Sequence, residues 1–350
     1  MLLLRRCLVV LSLLIVPVAT PGVVRLVGAA TSSIAPRPPR PPEQPAHGPG
    51  GMAFRYDGVS AQRYGTPPSG FWLFEPAHLR LDDASPPANP LPVVIFIHGY
   101  TALDPDVYRG WIDHVVRRGA TVIYPDYQRI NPFGESWRSY PSDLVSGVAG
   151  AIHELGQPGH LPVDLSRVAV VGHSLGGVLA VDYAATAKEH ALPQPGVVMA
   201  VQPGGCGGCR GLPDDQGVPL PTFTTLSRQT LVEVIVGEDD DVVGDDAAKI
   251  IWSGLSDLPV EQRDYITLRS DLHGVPFLRA THWLAQTAGF RGVEDALDWY
   301  GPWKLLDLLT TCAFTGSGCE AALNDSPEQR SMGVWSDGRP VKTAIVSDGP

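Results

Sequence analysis

From Phe71 onward the chain alternates between two hydrophobic patterns. Short runs such as Val93–Ile97 are apolar at every position and rich in β-branched residues, which suits parallel strands buried on both faces. Between them lie longer stretches with apolar residues every three or four positions, as in helices with one covered face. Strands are therefore expected at Phe71–Phe74, Val93–Ile97, Thr121–Tyr124, Val168–Val171, Val197–Val201, Leu231–Val236 and Tyr265–Leu268. The first helix has Asp104 and Pro105 as its start signal and a stripe of Val107, Tyr108, Trp111, Ile112, Val115 and Val116, and it ends at Gly119. Others are expected at Pro141–Leu155 (with Leu144, Val145, Val148 and Ile152 inward), at Leu175–Lys188 and near Asp245–Trp252. This alternation predicts a mostly parallel central sheet flanked by helices. After Leu268 the pattern becomes helical and then irregular. Between Val201 and Leu231 the chain is rich in proline and glycine with no long helical period, so no large helical lid is expected there.

The first residues follow a different rule. Arg5 and Arg6 precede the apolar run Cys7–Val16, and small residues follow at Gly28, Ala29 and Ala30. Residues 1–30 are thus expected to act as a signal peptide or as a retained membrane anchor, placing the protein outside the cytoplasm in either case. Residues 31–51 are dense in proline and then glycine, the composition of an extended, solvated linker. The folded domain is expected over residues 52–350.

Composition narrows the partners. With 350 residues and 44% hydrophobic content, one large α/β domain fits after the leader and linker. The net charge of −11 repels phosphate backbones and argues against nucleic-acid binding. Apart from Cys7, four cysteines remain, an even count in an exported chain. Local disulfides are expected between Cys206 and Cys209 and between Cys312 and Cys319. A four-thiolate zinc site is the alternative, and the export signal weighs against it.

The strongest chemical signal is Gly172-His173-Ser174-Leu175-Gly176-Gly177, a G-x-S-x-G motif with a strand before it and a helix after it. Such a turn lifts a serine hydroxyl above the sheet edge, as in the nucleophile elbow of the α/β-hydrolase fold. It also puts the Leu175 N–H at a helix N-terminus, aimed at developing negative charge. A second oxyanion donor is expected from Tyr100, in the loop Ile97-His98-Gly99-Tyr100-Thr101-Ala102, where His98 would orient the loop.

The order Ser, acid, His then selects further candidates. Gly237-Glu238-Asp239-Asp240-Asp241-Val242-Val243 follows a strand, and Asp240 is favoured as the acid over Asp239 and Asp241. Asp245 and Asp246 suit a helix start, and a calcium site in this acidic stretch is a further alternative. His273, just past the last expected strand, is favoured as the base, with His282 beside Trp283 as its rival. Tyr100, Trp111, Trp283 and Trp299 are candidates to line an apolar pocket.

Taken together, Gly99-Tyr100-Thr101-Ala102, Gly-His-Ser-Leu-Gly-Gly at 172–177 and Gly-Glu-Asp-Asp at 237–240 resemble bacterial cutinases and polyester hydrolases, and the wider dienelactone-hydrolase and lipase-like group. The resemblance spans about Phe71 to His273. It implies the α/β-hydrolase fold and cleavage of carboxylic esters by Ser174, Asp240 and His273, with Tyr100 and Leu175 as oxyanion hole. The implied substrate is a small-molecule, lipid or polymeric ester, and no cofactor or metal is required. Two features depart from the polyester-degrading enzymes. Val201-Gln202-Pro203-Gly204-Gly205 lacks their tryptophan, and the tail beyond Phe277 is longer. An exported acyltransferase using an alcohol acceptor, a peptidase and an inactive binding protein on the same scaffold are the competing readings.

Overall fold

The computed structural model describes residues 37–80, 90–131, 134–221, 223–289 and 291–350. The expected leader, residues 1–30, lies outside the described residues, as does 31–36 of the linker.

Nine strands form one sheet: β1 (Tyr56–Tyr64), β2 (Phe71–Leu79), β3 (Leu91–Ile97), β4 (Thr121–Pro125), β5 (Val163–His173), β6 (Val197–Val201), β7 (Leu231–Gly237), β8 (Arg263–Leu268) and β9 (Ile345–Ser347). Their order is β1-β2-β4-β3-β5-β6-β7-β8-β9. The run from β4 to β8 is parallel, and β1, β2 and β9 add antiparallel pairings at its two sides. Side chains alternate across this sheet, and both faces are covered. On β3, Val93, Ile95 and Ile97 enter one core, while Val94 and Phe96 enter the other. That double burial is why the run is apolar at every position.

The first core is covered by α2 (Tyr140–Leu155), α3 (Leu175–Thr186) and α4 (Asp246–Gly254). The second is covered by α1 (Arg109–Arg118) and by a helical segment running from α5 (Ala296–Asp298) through a wider turn at Trp299–Trp303 into α6 (Lys304–Thr315). Gly119 ends α1 at φ 110°, ψ 39°, a left-handed stop that favours glycine. In α2 the buried stripe is Tyr140, Leu144, Gly147, Val148, Ala151 and Leu155, so Val145 and Ile152 sit at its margins. The expected pocket residue Trp111 is fully buried against Phe96 in the second core. It is a core residue, because the stripe of α1 points at the sheet.

Helix α3 is buried from Leu175 to Ala185, including Asp182. Burial pushes the Asp182 carboxyl up to about 7. An unfolded chain releases this proton near pH 4, as an ordinary aspartate does. The folded state keeps it longer, so the contribution to stability is complete below about pH 4 and is lost as pH rises through about 7. Asp182→Asn is therefore expected to raise the unfolding free energy by about 2 kcal/mol at pH 8, with the gain vanishing near pH 4. Urea titrations at the two pH values check it, and an equal effect at both would contradict the assignment.

The amino-proximal segment differs from the expected tether. Pro38–Pro350 forms one compact unit, and the proline-rich stretch is packed within it. Ser336 N–H donates to Arg40 O at 3.0 Å, and Val275 N–H to Pro39 O at 2.8 Å. Tyr300 Oη donates to Glu43 O at 3.2 Å. Gly50 N–H donates to Asp307 Oδ2 at 2.7 Å. The physical reason is complementarity: an extended proline-rich strand leaves its backbone groups without internal partners, and the later part of the chain supplies both donors and acceptors for them.

The four cysteines form two disulfides, Cys206–Cys209 and Cys312–Cys319, which overturns the zinc alternative. Such bonds are compatible with an oxidising, extracytoplasmic environment. Among the described residues no helix is long and apolar enough to cross a membrane. Between β6 and β7 the described residues contain only short turns at Cys209–Gly211 and Phe223–Thr225.

Candidate active site

The candidate residues come from loops after the carboxyl ends of parallel strands, the edge where ligand sites assemble in open α/β sheets. Ser174 links β5 to α3 at φ 58°, ψ −121°, a strained conformation for a residue with a side chain. Its neighbours make the turn possible. A Cβ on Gly172 would overlap the Gly176 carbonyl, and one on Gly176 would overlap the Ile97 and His98 carbonyls. Ser174 N–H is held by Val201 O at 2.9 Å. The hydroxyl thus sits half-buried at the start of α3.

Ser174 Oγ lies 3.0 Å from His282 Nε2, and His282 Nδ1 lies 2.8 Å from Asp240 Oδ2. An ionised aspartate only accepts, so Nδ1–H donates to it and Nε2 is left to accept from the serine hydroxyl. Asp240 Oδ1 accepts the Val242 and Val243 N–H groups, each at 3.0 Å. Burial opposes the charge on Asp240, but the hydrogen bond and charge of His282 and these two N–H groups outweigh it. They hold the carboxyl below its ordinary value. Of its rivals, Asp239 accepts from Ser270 Oγ at 2.7 Å and Asp241 is exposed.

His273 is not at Ser174. Its Nε2 lies 2.8 Å from Asp337 Oδ2, and Arg339 Nη1 lies 3.1 Å from its Nδ1. The cause is the path of the chain after β8. Asp271 and Leu278 pair antiparallel, so residues 272–277 make an excursion that carries His273 toward the tail. The chain returns at Ala280, whose carbonyl accepts Asp239 N–H at 3.0 Å, and this delivers His282 to the acid loop. The place beside Ser174 expected of His273 is therefore taken by His282.

The loop after β3 is held by four side chains. Tyr127 Oη donates to His98 O at 2.6 Å, and Tyr124 Oη donates to Ala102 O. Gly99 N–H donates to Tyr108 Oη at 3.0 Å and Thr101 N–H to Gln128 Oε1 at 2.8 Å. Ala102 N–H turns back to Gly99 O at 3.1 Å. Among the described residues the Tyr100 N–H has no acceptor, which leaves it as the donor this loop can offer a ligand. The loop lies against the serine: a Cβ on Gly99 would stand 3.3 Å from Ser174 Cβ. Leu175 is the first residue of α3, so its N–H has no partner within the helix. His98 is buried, stacks on Tyr124 and Tyr127, and has its pKa lowered to about 4 by burial. It is a neutral support for the loop.

His173, next to the serine, has a defined tautomer. Its Nε2 is 2.8 Å from the His282 carbonyl and must donate, so Nδ1 accepts from Tyr108 Oη at 2.9 Å. Burial lowers its pKa to about 3, keeping it neutral.

Of the expected pocket aromatics, Tyr100 is half-buried with its ring 5.1 Å from Trp137. Trp283 lies edge-on to His282 at 5.4 Å, and Trp283 and Trp299 border a cavity of about 540 Å³. Trp137 and Gln202 were not singled out in the sequence. Trp137 precedes α2 in a stretch without periodic signal. Val201–Gly205 shows in sequence only its lack of tryptophan, and no local pattern marks the Gln202 amide. The fold and site together define an α/β-class protein with a serine, a histidine and an aspartate hydrogen-bonded in series at the ends of parallel strands. The chain matches no protein-family model, and no curated protein matches it significantly.

Proposed function

We propose that the protein is a serine hydrolase of the α/β-hydrolase fold that cleaves carboxylic esters through an acyl-enzyme. One observation carries this reading: Ser174 Oγ stands 3.0 Å from His282 Nε2 while His282 Nδ1 stands 2.8 Å from Asp240 Oδ2. The sheet supports it by placing the serine on a strained strand-to-helix turn, with acid and histidine following in chain order.

The chemistry runs on the residues present. Ser174 Oγ attacks the ester carbonyl carbon as its proton passes to His282 Nε2. Asp240 holds the imidazole in register and stabilises the imidazolium. The carbonyl oxygen, now negative, accepts from Tyr100 N–H and Leu175 N–H. Collapse breaks the ester C–O bond, and His282 returns the proton to the departing alcohol. Water then enters with His282 as base, releasing the carboxylic acid and restoring Ser174.

The test combines labelling and turnover. A fluorophosphonate is expected to label Ser174, and p-nitrophenyl esters of increasing chain length are expected to be hydrolysed. Ser174→Ala is expected to lose both, with at least a ten-thousandfold fall in kcat/KM. Ester hydrolysis that survives Ser174→Ala, or wild-type protein inert to probe and esters, would overturn the reading.

A further inference from the structure

We propose that Gln202 is a positioning residue, whose side-chain amide ties the Asp240 carboxylate to the Thr281 carbonyl and so fixes the acid against the histidine loop. This rests on the Ser174–His282–Asp240 reading of the site. Gln202 follows β6 at φ 46°, left-handed backbone that residues other than glycine seldom adopt. Its N–H is pinned to Ile235 O at 2.6 Å, and it is fully buried. Nε2 lies 3.1 Å from Asp240 Oδ2 and 2.8 Å from Thr281 O. Both neighbours are acceptors, so the NH₂ end must face them, and each of its hydrogens has one partner.

Two further features fit a working amide. Gly237 has no side chain, and a Cβ there would come within 2.7 Å of Gln202 Nε2. Gln202 Oε1 makes no hydrogen bond among the described residues, although it is buried. The His173 ring beside it has already given its one N–H to the His282 carbonyl. A residue that merely filled space would be apolar and leave no oxygen unpaired. Thr281 precedes His282 directly, so one amide bridges the acid and the backbone that carries the base.

The titratable groups facing this cluster are Asp240, His282, His173 and the Ser174 hydroxyl. Asp239 is turned to Ser270 Oγ, and Glu238 to Ser270 N–H and Arg269. Gln202→Glu keeps the shape but puts a second carboxyl beside Asp240, which favours proton uptake by the cluster. Gln202→Leu keeps volume and removes the donor.

Wild type, both variants and each combined with Asp240→Asn are compared, with kcat set per fluorophosphonate-titrated site. Gln202→Leu is expected to lower kcat about tenfold with KM within about twofold, and to cost under about twofold on top of Asp240→Asn. Gln202→Glu is expected to move the acid limb of kcat/KM up by about one pH unit. Proton NMR of the resting protein reads the His282 Nδ1–H directly, and Gln202→Leu is expected to broaden or shift that low-field resonance. If Gln202→Leu does not fold, the pH profile of the isosteric Gln202→Glu decides. Unchanged kcat, profile and resonance in folded variants would overturn the proposal. A wild type without ester turnover would instead overturn the ester reading, and the resonance would still decide the role of Gln202.

Discussion

His282→Ala is expected to lower kcat/KM for a p-nitrophenyl ester by about 10⁴- to 10⁶-fold, whereas His273→Ala stays within about threefold of wild type. The contrast follows from the two environments. His282 is buried between Ser174 Oγ and Asp240 Oδ2 and, among the described residues, is the one imidazole bonded to the serine. His273 is engaged by Asp337 and Arg339 in the tail. On the proposed reading, without His282 the hydroxyl has no acceptor for its proton, and the proposed nucleophile is close to an ordinary alcohol. His273→Ala removes a partly exposed contact and is expected to lower stability by about 1 kcal/mol or less. Steady-state rates and thermal melts on both variants decide the matter. A large loss of rate in folded His273→Ala with activity retained in His282→Ala would reverse the assignment.

Asp307→Ala is expected to produce the larger loss of stability, about 3 kcal/mol at pH 7. Asp307 Oδ2 accepts from Gly50 N–H at 2.7 Å and from His114 Nε2 at 2.9 Å, and forms an ion pair with Arg118 Nε at 3.2 Å. One carboxylate therefore joins the amino-proximal segment, α1 and α6. Burial opposes its charge, but His114, Arg118 and the Gly50 N–H outweigh it, so its pKa is lowered. A lowered carboxyl stabilises the fold above its unfolded value, about pH 4, and that contribution is lost as pH falls through the folded value. The gap between wild type and Asp307→Ala should thus be wide at pH 7 and narrower at pH 3. Urea unfolding at both values checks it, and a gap independent of pH would sink the electrostatic account.

What could be read from the sequence depended on how local each signal was. The strand at Val93–Ile97 was legible because both of its faces are covered, which forces every position to be apolar. The turn at Ser174 was legible because its glycines answer to backbone overlaps within a few residues. Asp240 was legible from its place after β7. β1 was missed because Tyr56–Tyr64 is an edge strand with Tyr56 alone buried and with Arg63, Gln62 and Asp57 among its residues. The choice between His273 and His282 was set by a pairing of Asp271 with Leu278 and by Asp337 far along the chain, neither of which has a local pattern. The packing of the proline-rich stretch was not legible for the same reason, since composition reports what a segment can do alone and not which distant partners await its backbone groups.

The bond between Arg40 N–H and Ser336 Oγ joins positions 296 residues apart. During synthesis, a nascent polypeptide has Arg40 outside the ribosome long before Ser336 has been translated. Its early proline stretch must therefore wait without a partner while almost the whole chain is made. Closure of this clasp is a late, long-range event, and contacts of such high sequence separation form slowly.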